Sequence, residues 1–288
     1  MQGLLFGNIL LALGAAGFWG VGDFSGGVGV KASGGSTRAA LRFILMSHAT
    51  SLAVLLVISA VRGDSFPHGR LLAWGLAAGV AAGLSLCAFY VALARGAMGA
   101  SAAVSGVLAA AIPAVVSIGT DGAPGWRKGV GFLVAVIAIW MIAADESEQE
   151  RASTMWLATA AGAGFGLYFV ALKFAGAGGV IWPMANSRMG SLTTCGLLLL
   201  ALGARAGEAK VNRRVGMWVL LTAAFDTVGN MMFVAATRAG RLDVAAVLAS
   251  LYPASTILLA AVWIKERPTR RQGFGMAVAA VAVVLVAG

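Results

Sequence analysis

Charged side chains are scarce in this sequence. Only 11% of its 288 residues are Asp, Glu, Lys or Arg, whereas 60% are hydrophobic. Typical soluble domains carry roughly 25% charged residues. A soluble fold of this composition would leave a large apolar surface in water, which excludes it on energetic grounds. The sequence therefore predicts a protein whose solvent is the lipid bilayer.

Cysteine and histidine are also rare, with two residues of each type. Cys87 and Cys195 both lie inside apolar stretches, so we expect reduced thiols that pack as small apolar groups. The sequence holds no cluster of cysteine and histidine, and it predicts no zinc, haem or other metal site. We expect no cofactor and no catalytic residues.

Acidic residues are scarcer than basic residues. The chain has 11 Asp and Glu against 21 Lys and Arg, and its formal net charge is +10. A strongly basic balance is typical of nucleic-acid binders. Here the cations are scattered over the connections between apolar runs and form no basic face. We expect them to anchor helices at anionic lipid headgroups, and we expect no nucleic-acid partner.

Long apolar runs are abundant. A helix of about 20 apolar residues crosses the hydrocarbon core of a membrane. Short connections separate the runs and leave no room for a soluble domain. The sequence predicts an all-α polytopic membrane protein with ten transmembrane helices. The predicted spans are 4–23, 40–61, 71–94, 99–118, 129–144, 155–172, 180–203, 215–236, 243–263 and 273–287.

The two halves of the sequence match one another in an ordered series. Trp74, for example, matches Trp218 at an offset of 144 residues. Each half holds five predicted spans, and because five is odd the second half enters the membrane from the opposite side. The sequence therefore predicts two inverted five-helix repeats, 1–148 and 149–288. Secondary transporters use this plan and place their site between the repeats.

Each half carries a proline in the middle of a predicted span. Pro113 lies in VLAAAIPAVV and Pro253 lies in VLASLYPAST, at an offset of 140 residues. Proline removes a backbone donor and collides with the carbonyl group one turn earlier. We expect both prolines to mark breaks in paired helices beside a central cavity. The alternative is a simple kink, which membrane helices tolerate.

Five short motifs occur in order along the chain: FWG at 18–20, LRF at 41–43, FYVALARG at 89–96, SLYP at 250–253 and WIKERPTRRQGFG at 263–275. Together they resemble the EamA-domain members of the drug/metabolite transporter superfamily. The resemblance spans nearly the whole chain and is greatest to bacterial amino-acid exporters. In the first half, TDGAPGWRKGVG lacks the glutamate that the corresponding turn has in the second half.

This resemblance implies a secondary transporter, not an enzyme. It implies ten helices in two EamA repeats and export of small metabolites, amino acids among them, across the inner membrane. The implied partners are a small-molecule substrate and membrane lipids, and we expect a monomer or a weak dimer. Both termini would lie on the cytoplasmic side. The lysine and arginine content of the connections favours the opposite orientation.

Ionisable side chains within a span cost about 2.5–3.5 kcal/mol on insertion scales and therefore face a partner or water. Asp226 lies mid-span, and Asn230 follows one helical turn later on the same face. We predict that both line the cavity and that Asp226 is a proton or amine site. The alternative is a neutral Asp226 held by a neighbouring helix. Asp23 and His48 are further candidates for proton coupling, and the first half has Ala82 where the second has Asp226.

Aromatic and hydroxyl side chains complete the predicted cavity. Rings with indole or phenol donors suit a zwitterion with a variable side chain, and serines add hydrogen bonds near the broken helices. The alternatives are aromatic residues that face lipid and serines that bond to their own helix. The predicted lining residues of these types are Trp19, Phe89, Tyr90, Ser101, Ser105, Phe165, Tyr168, Phe169, Ser250 and Tyr252.

Two further patterns predict anchoring and packing. Arg42 and Arg188, equivalent at an offset of 146, lie near predicted helix ends, where long cationic side chains reach lipid headgroups. Gly75, Gly79 and Gly83 recur at every fourth residue and permit another helix to approach closely.

Two rival functions fit single features. GVGD at 20–23 matches the glycine-x-glycine-aspartate pattern of intramembrane aspartyl proteases, in which Asp23 and Asp226 would share a proton and activate water. The motif order is reversed here, and the repeat has no role in such an enzyme. A channel needs a ring or filter of repeated groups, and Asp226 has no acidic counterpart in the first half.

Overall fold

A computed structural model describes residues 2–95, 98–143, 148–203, 212–265 and 269–287. Helices make up nearly all of these residues and no strand occurs among them, so the all-α prediction is confirmed. Within these ranges the α-helices are α1 (Gln2–Ala32), α2 (Thr37–Arg62), α3 (Arg70–Arg95), α4 (Met98–Asp121), α5 (Trp126–Ala143), α6 (Glu148–Ala175), α7 (Ile181–Ala201), α8 (Arg213–Ala239), α9 (Leu242–Ala249), α10 (Tyr252–Leu259) and α11 (Arg270–Ala287).

Seven segments of the described chain are long and apolar enough to cross a membrane, so this is a multi-pass membrane protein. The predicted spans 129–144, 180–203 and 273–287 form α5, α7 and α11, which are not among the seven. Of these three, α7 carries polar side chains along its first half. The seven segments are Gly7–Ala32, Thr37–Arg62, Arg70–Arg95, Val104–Asp121, Thr154–Gly178, Arg213–Ala239 and Leu242–Trp263.

Four helices form the centre of the bundle. α1 packs along α8, and α3 packs along α6 and α7. α4 lies against α6, while α9 and α10 lie against α1 and α4. α5 and α11 pack on each other. This arrangement brings α1, α3, α6 and α8 together around one central space.

One long helix is interrupted at Ser250 and Leu251, between α9 and α10. Pro253 is the second residue of α10, a first-turn position at which its missing N–H breaks no helical hydrogen bond. Pro113 lies inside α4, which continues as a helix past it. The expectation of breaks at both prolines is therefore corrected: α4 accommodates its proline without interruption, as membrane helices can.

Ion pairs tie several helix ends together at one face of the bundle. Lys173 Nζ, near the end of α6, lies 3.2 Å from Oδ2 of Asp121, the last residue of α4. Arg241 pairs with the fully buried carboxylate of Asp243 at 2.6 Å. The same guanidinium donates to the carbonyl oxygens of Asp121 and Gly122 at 2.8 and 2.7 Å. These contacts hold the start of α9 against the end of α4.

α3 and α7 cross at a contact that is lined by glycine. A Cβ atom on Gly79 would lie 2.1 Å from the carbonyl oxygen of Ser187. A Cβ atom on Gly190 would lie 2.4 Å from the carbonyl oxygen of Leu76. Real Cβ atoms do not approach backbone this closely, so only glycine permits the crossing. The close approach predicted from the glycine spacing is therefore present, with α7 as the partner.

We expect Gly79→Ala to push α3 away from α7 and to destabilise the protein by about 1–3 kcal/mol, as overpacking of a tight contact does. Gly196→Ala is the matched control, because Gly196 lies on α7 and a Cβ atom there would have no neighbour within 4 Å. Thermal unfolding of both purified variants in detergent measures the difference. Equal unfolding temperatures for the two variants would show that the crossing of α3 and α7 can accommodate a Cβ atom on Gly79.

Candidate functional site

A small cavity lies at the centre of the bundle. Its volume is about 30 Å³, which is room for water but not for a metabolite. The space between these helices is therefore too narrow for a metabolite in this structure. The lining residues come from six helices: Trp19 and Asp23 (α1), Ala82 and Leu86 (α3), Phe165, Tyr168 and Phe169 (α6), Arg188 (α7), Asp226 and Asn230 (α8) and Tyr252 (α10).

Arg188 is buried beside this cavity, with 1% of its side chain exposed. Its Nη2 forms an ion pair and a short hydrogen bond with Oδ2 of Asp226. The expectation that Arg188 reaches lipid headgroups is therefore wrong. A guanidinium buried this deeply needs a carboxylate partner, because desolvation of an unpaired charge costs several kcal/mol. Asp226, on the neighbouring helix, supplies that partner.

The other nitrogen atoms of Arg188 bind α2. Nε donates to Ser51 Oγ at 3.1 Å, and Nη1 lies 3.0 Å from His48 Nε2. A guanidinium can only donate, so Nε2 accepts and the proton of the neutral ring sits on Nδ1. That Nδ1 lies 2.8 Å from Ser191 Oγ. Both ring nitrogens of His48 are thus occupied, and the histidine joins α2 to α7.

The second oxygen of Asp226 is also bonded. Asn230 Nδ2 donates to Asp226 Oδ1 at 2.9 Å, and it also donates to the Asp226 carbonyl oxygen at 2.7 Å. The hydroxyl group of Tyr168 donates to Asn230 Oδ1 at 2.7 Å. The predicted pair on one face of α8 therefore forms the middle of a network that reaches from α2 and α7 to α6.

Aromatic rings supply most of the apolar wall. Trp19 stacks on Phe169 with ring centroids 5.1 Å apart and planes 4° apart. Tyr252 meets Trp19 edge to face at 6.5 Å. The Tyr252 hydroxyl lies 2.6 Å from Ser105 Oγ, which joins α10 to α4 behind the wall. Edge-to-face and offset stacks of this kind are the favoured arrangements of aromatic pairs.

Asp23 stands apart from these networks. It follows Trp19 by one turn of α1 and lines the cavity. Its carboxylate forms no hydrogen bond or ion pair with any residue that the structure describes, whereas that of Asp226 has two such partners, Arg188 and Asn230. α1 and α8 touch closely beside it, since a Cβ atom on Gly22 would lie 3.2 Å from the Asp226 nitrogen. The two carboxylates therefore belong to one tightly packed helix pair.

Five of the predicted lining residues lie behind the wall. Phe89 contacts Phe165 and Tyr252 edge to face and supports both rings. The predicted residues outside the lining are Phe89, Tyr90, Ser101, Ser105 and Ser250.

Among the described residues, no three His, Cys, Asp or Glu side chains are grouped as a metal ion would need.

Sequence reasoning missed two contributions to the site. Ala82 and Leu86 line it from α3, although neither carries a polar group. The sequence analysis instead expects Arg188, like Arg42, to lie near a helix end and reach the lipid headgroups. The signal for its burial lay in Asn186 and Ser191, which put polar groups within one turn of it on the same helix.

The second half of the chain matches a known family. Residues 152–288 match the model of the EamA-like transporter family. Over these residues the chain is similar to that family, and the resemblance predicted from the sequence is confirmed there. The apolar helices and this match together indicate a multi-pass membrane protein that is similar to transporters.

One solved structure shares the fold of almost the whole chain. It is described only as "Crystal structure of protein" and aligns over 96% of this chain and 95% of its own, with a TM-score of 0.73 and 13% sequence identity. Identity this low shows the fold and carries no function. No curated protein matches the chain.

We expect Arg188→Met to destabilise the protein by about 3–5 kcal/mol, because Asp226 then remains buried without its cation. The double variant Arg188→Met/Asp226→Leu removes both charges and should recover much of this loss. Arg62→Met is the control, since the Arg62–Asp64 pair has side chains 62% and 29% exposed and contributes at most about 1 kcal/mol. Thermal unfolding in detergent ranks the variants. A double variant no more stable than the single one would contradict the ion-pair account.

Proposed function

We propose that this protein is a secondary transporter that exports small metabolites, amino acids among them, by alternating access through the central cavity. The observation that carries the proposal is the match between the two halves at the cavity itself. Ala82 and Asp226 are separated by 226 − 82 = 144 residues, and Leu86 and Asn230 by 230 − 86 = 144. All four line the cavity. Equivalent positions of α3 and α8 thus face one space from opposite sides.

Helix packing supports two inverted repeats, 1–148 and 149–288, with ten spans. In the proposed repeats α1 corresponds to α6, and α3 corresponds to α8. The contact between α1 and α8 therefore corresponds to the contact between α6 and α3, and both contacts are present. Likewise α4 corresponds to α9 and α10 together. The contact of α4 with α6 therefore corresponds to the contacts of α9 and α10 with α1, which are also present. The contacts of α2 with α7, α4 with α9 and α5 with α11 map onto themselves. The family match over 152–288 covers nearly all of the second proposed repeat.

A cavity too narrow for the substrate agrees with alternating access. At about 30 Å³ it cannot hold an amino acid, so transport requires the aromatic wall to separate. The interruption between α9 and α10 lies next to this wall, where Tyr252 begins α10. An interrupted helix bends at lower cost than a continuous one, and broken helices line the sites of inverted-repeat transporters.

The ionisable groups favour transport over proteolysis. An aspartyl protease needs two carboxylates that share a proton, whereas Asp226 is bonded to Arg188. Proton coupling stays a proposal for Asp23, Asp226 and His48. Of these three, Asp23 alone lacks a hydrogen bond to a described residue.

We place the protein in the bacterial inner membrane as a monomer or weak dimer, with both termini on the cytoplasmic side. Ten spans put the two termini on one side, and the resemblance to EamA-domain exporters supports the cytoplasmic choice. Membrane lipids and a small-molecule substrate are the partners in this proposal.

Counterflow in liposomes tests the proposed function. Vesicles that contain the purified protein are loaded with one unlabelled amino acid or amine at a time, and uptake of the labelled compound is measured. We expect saturable uptake that depends on the internal compound, in contrast to protein-free vesicles. Uptake that rises linearly without saturation would indicate a channel, and cleavage of added peptides would indicate a protease.

Substitution of the two prolines tests the role of the interrupted helix. We expect Pro253→Ala to let the helix continue through Ser250 and Leu251 and to lower the counterflow rate several-fold at normal expression. Pro113→Ala is the matched control from the other half, and its effect should be smaller because α4 is already continuous. Equal counterflow rates for both variants and the parent protein would show that transport does not depend on the helix interruption.

A further inference from the structure

We infer that the central cavity binds an organic ammonium ion at Asp23, so that the bound compound carries one net positive charge. This inference names the substrate class of the transport site and rests on the proposed function. It goes beyond an amino-acid exporter, because a free amino acid is a neutral zwitterion. It also moves the amine-binding role from Asp226 to Asp23.

The acidic and basic groups around the cavity do not pair completely. Among the described residues that line it, these groups are Asp23, Arg188 and Asp226. Arg188 and Asp226 neutralise each other as an ion pair. Asp23 is left with no cation and no hydrogen-bond donor among the described residues. An unpaired carboxylate is costly in an apolar surrounding and takes up a proton instead, and a ligand cation can replace that proton, so the cavity suits an ammonium group.

The carboxylate of the ion pair is not available to a ligand ammonium group. Three of the five N–H groups of Arg188 are bonded, to Ser51, His48 and Asp226. Asp226 Oδ1 accepts from Asn230, and its Oδ2 accepts from Arg188. An ammonium group at Asp226 would have to displace the guanidinium and leave Arg188 buried without its partner. Binding at Asp23 requires no such displacement.

The cavity also disfavours a ligand carboxylate. It would add a third negative group to a lining that contains a single cation, and like charges in a low-dielectric space repel strongly. Asn230 offers no free donor direction towards it, since Nδ2 already bonds two oxygens of Asp226. A compound with an amine and no carboxylate therefore fits better than the corresponding amino acid.

The wall suits an organic cation. Trp19 lies one turn before Asp23 on the same helix, and Phe165, Phe169 and Tyr252 also line the cavity. Aromatic faces attract cations through their quadrupoles, and such rings are the usual recognition surface for substituted ammonium groups. Rings next to one carboxylate provide a charged anchor and an apolar pocket for the rest of the molecule.

Asp23 lies beside the ion pair because α1 and α8 are packed closely. The Cβ position of Gly22 lies 3.2 and 3.5 Å from the backbone N and Cα of Asp226, so α1 and α8 are in direct backbone contact there. Asp23 follows Gly22 on α1, and an ammonium group at Asp23 would therefore bind next to the Arg188–Asp226 pair.

Three related ligands separate charge from shape. Phenethylamine carries a positive charge at neutral pH, phenethyl alcohol is its neutral counterpart, and phenylalanine adds a carboxylate. We measure their affinities for the purified protein in detergent by calorimetry. We expect phenethylamine to bind most tightly. Asp23→Asn should lower its affinity about tenfold to a hundredfold, the usual effect of a lost bond to a charged group, and should leave phenethyl alcohol unaffected.

Two further variants complete the design. Asp23→Glu keeps the charge and should retain the preference for the amine over the alcohol. Asp64→Asn removes a carboxylate that lies outside this cavity and is 29% exposed, and it should leave all three affinities as in the parent. The affinity for phenethyl alcohol reports whether each variant is folded.

Several results would overturn the inference: no detectable binding of phenethylamine to the parent, equal affinities for amine and alcohol, or an amine preference that survives in Asp23→Asn. An amine preference lost in Asp226→Asn and kept in Asp23→Asn would place the ammonium group at Asp226. Binding as expected with no counterflow of phenethylamine or amino acids would refute the proposed transport and leave the ammonium site standing.

Discussion

The buried guanidinium of Arg188 is the constraint on which the rest of this structure depends. A cation inside a membrane bundle must find an anion and hydrogen-bond acceptors, or it costs several kcal/mol. Asp226 on α8, with His48 and Ser51 on α2, meets that requirement. The positions of α2, α7 and α8 relative to one another are therefore fixed by one side chain. The network then extends through Asn230 to Tyr168 on α6.

The asymmetry between the halves has chemical consequences. At equivalent positions the second half presents Asp226 and Asn230 and the first half presents Ala82 and Leu86. The polar network is therefore built on one side of the cavity only. Asp23, from the first half, faces it without a partner of its own among the described residues. In the proposed two-repeat architecture, a repeated scaffold thus carries a single site that is not itself repeated.

Sequence reasoning reached the features that follow from local spacing. The i, i+4 spacing of Asp226 and Asn230 predicted one shared face, and the glycine spacing in α3 predicted a close helix contact. Aromatic residues such as Trp19 and Phe169 were identified because they lie in spans placed near the centre by the repeat. These predictions use the helix period alone, which does not depend on the partner helix.

Features that depend on partners could not be predicted. Local sequence does not distinguish an arginine that reaches the headgroups from one paired inside the bundle, and Arg188 was misplaced for this reason. Pro113 and Pro253 have similar neighbours in sequence, yet only the second follows an interruption. The difference lies in the tertiary surroundings of α4 and α10. Likewise, nothing in the sequence shows that Asp23 lacks a partner in the described chain while Asp226 has two.

The most direct test of the account is an experimental structure of the protein with bound phenethylamine. The account predicts that the ammonium nitrogen lies within about 3 Å of an Asp23 oxygen, between the aromatic rings, with the Arg188–Asp226 pair intact. An ammonium nitrogen bonded to Asp226, a separated Arg188–Asp226 pair, or a ligand bound elsewhere on the protein would contradict it.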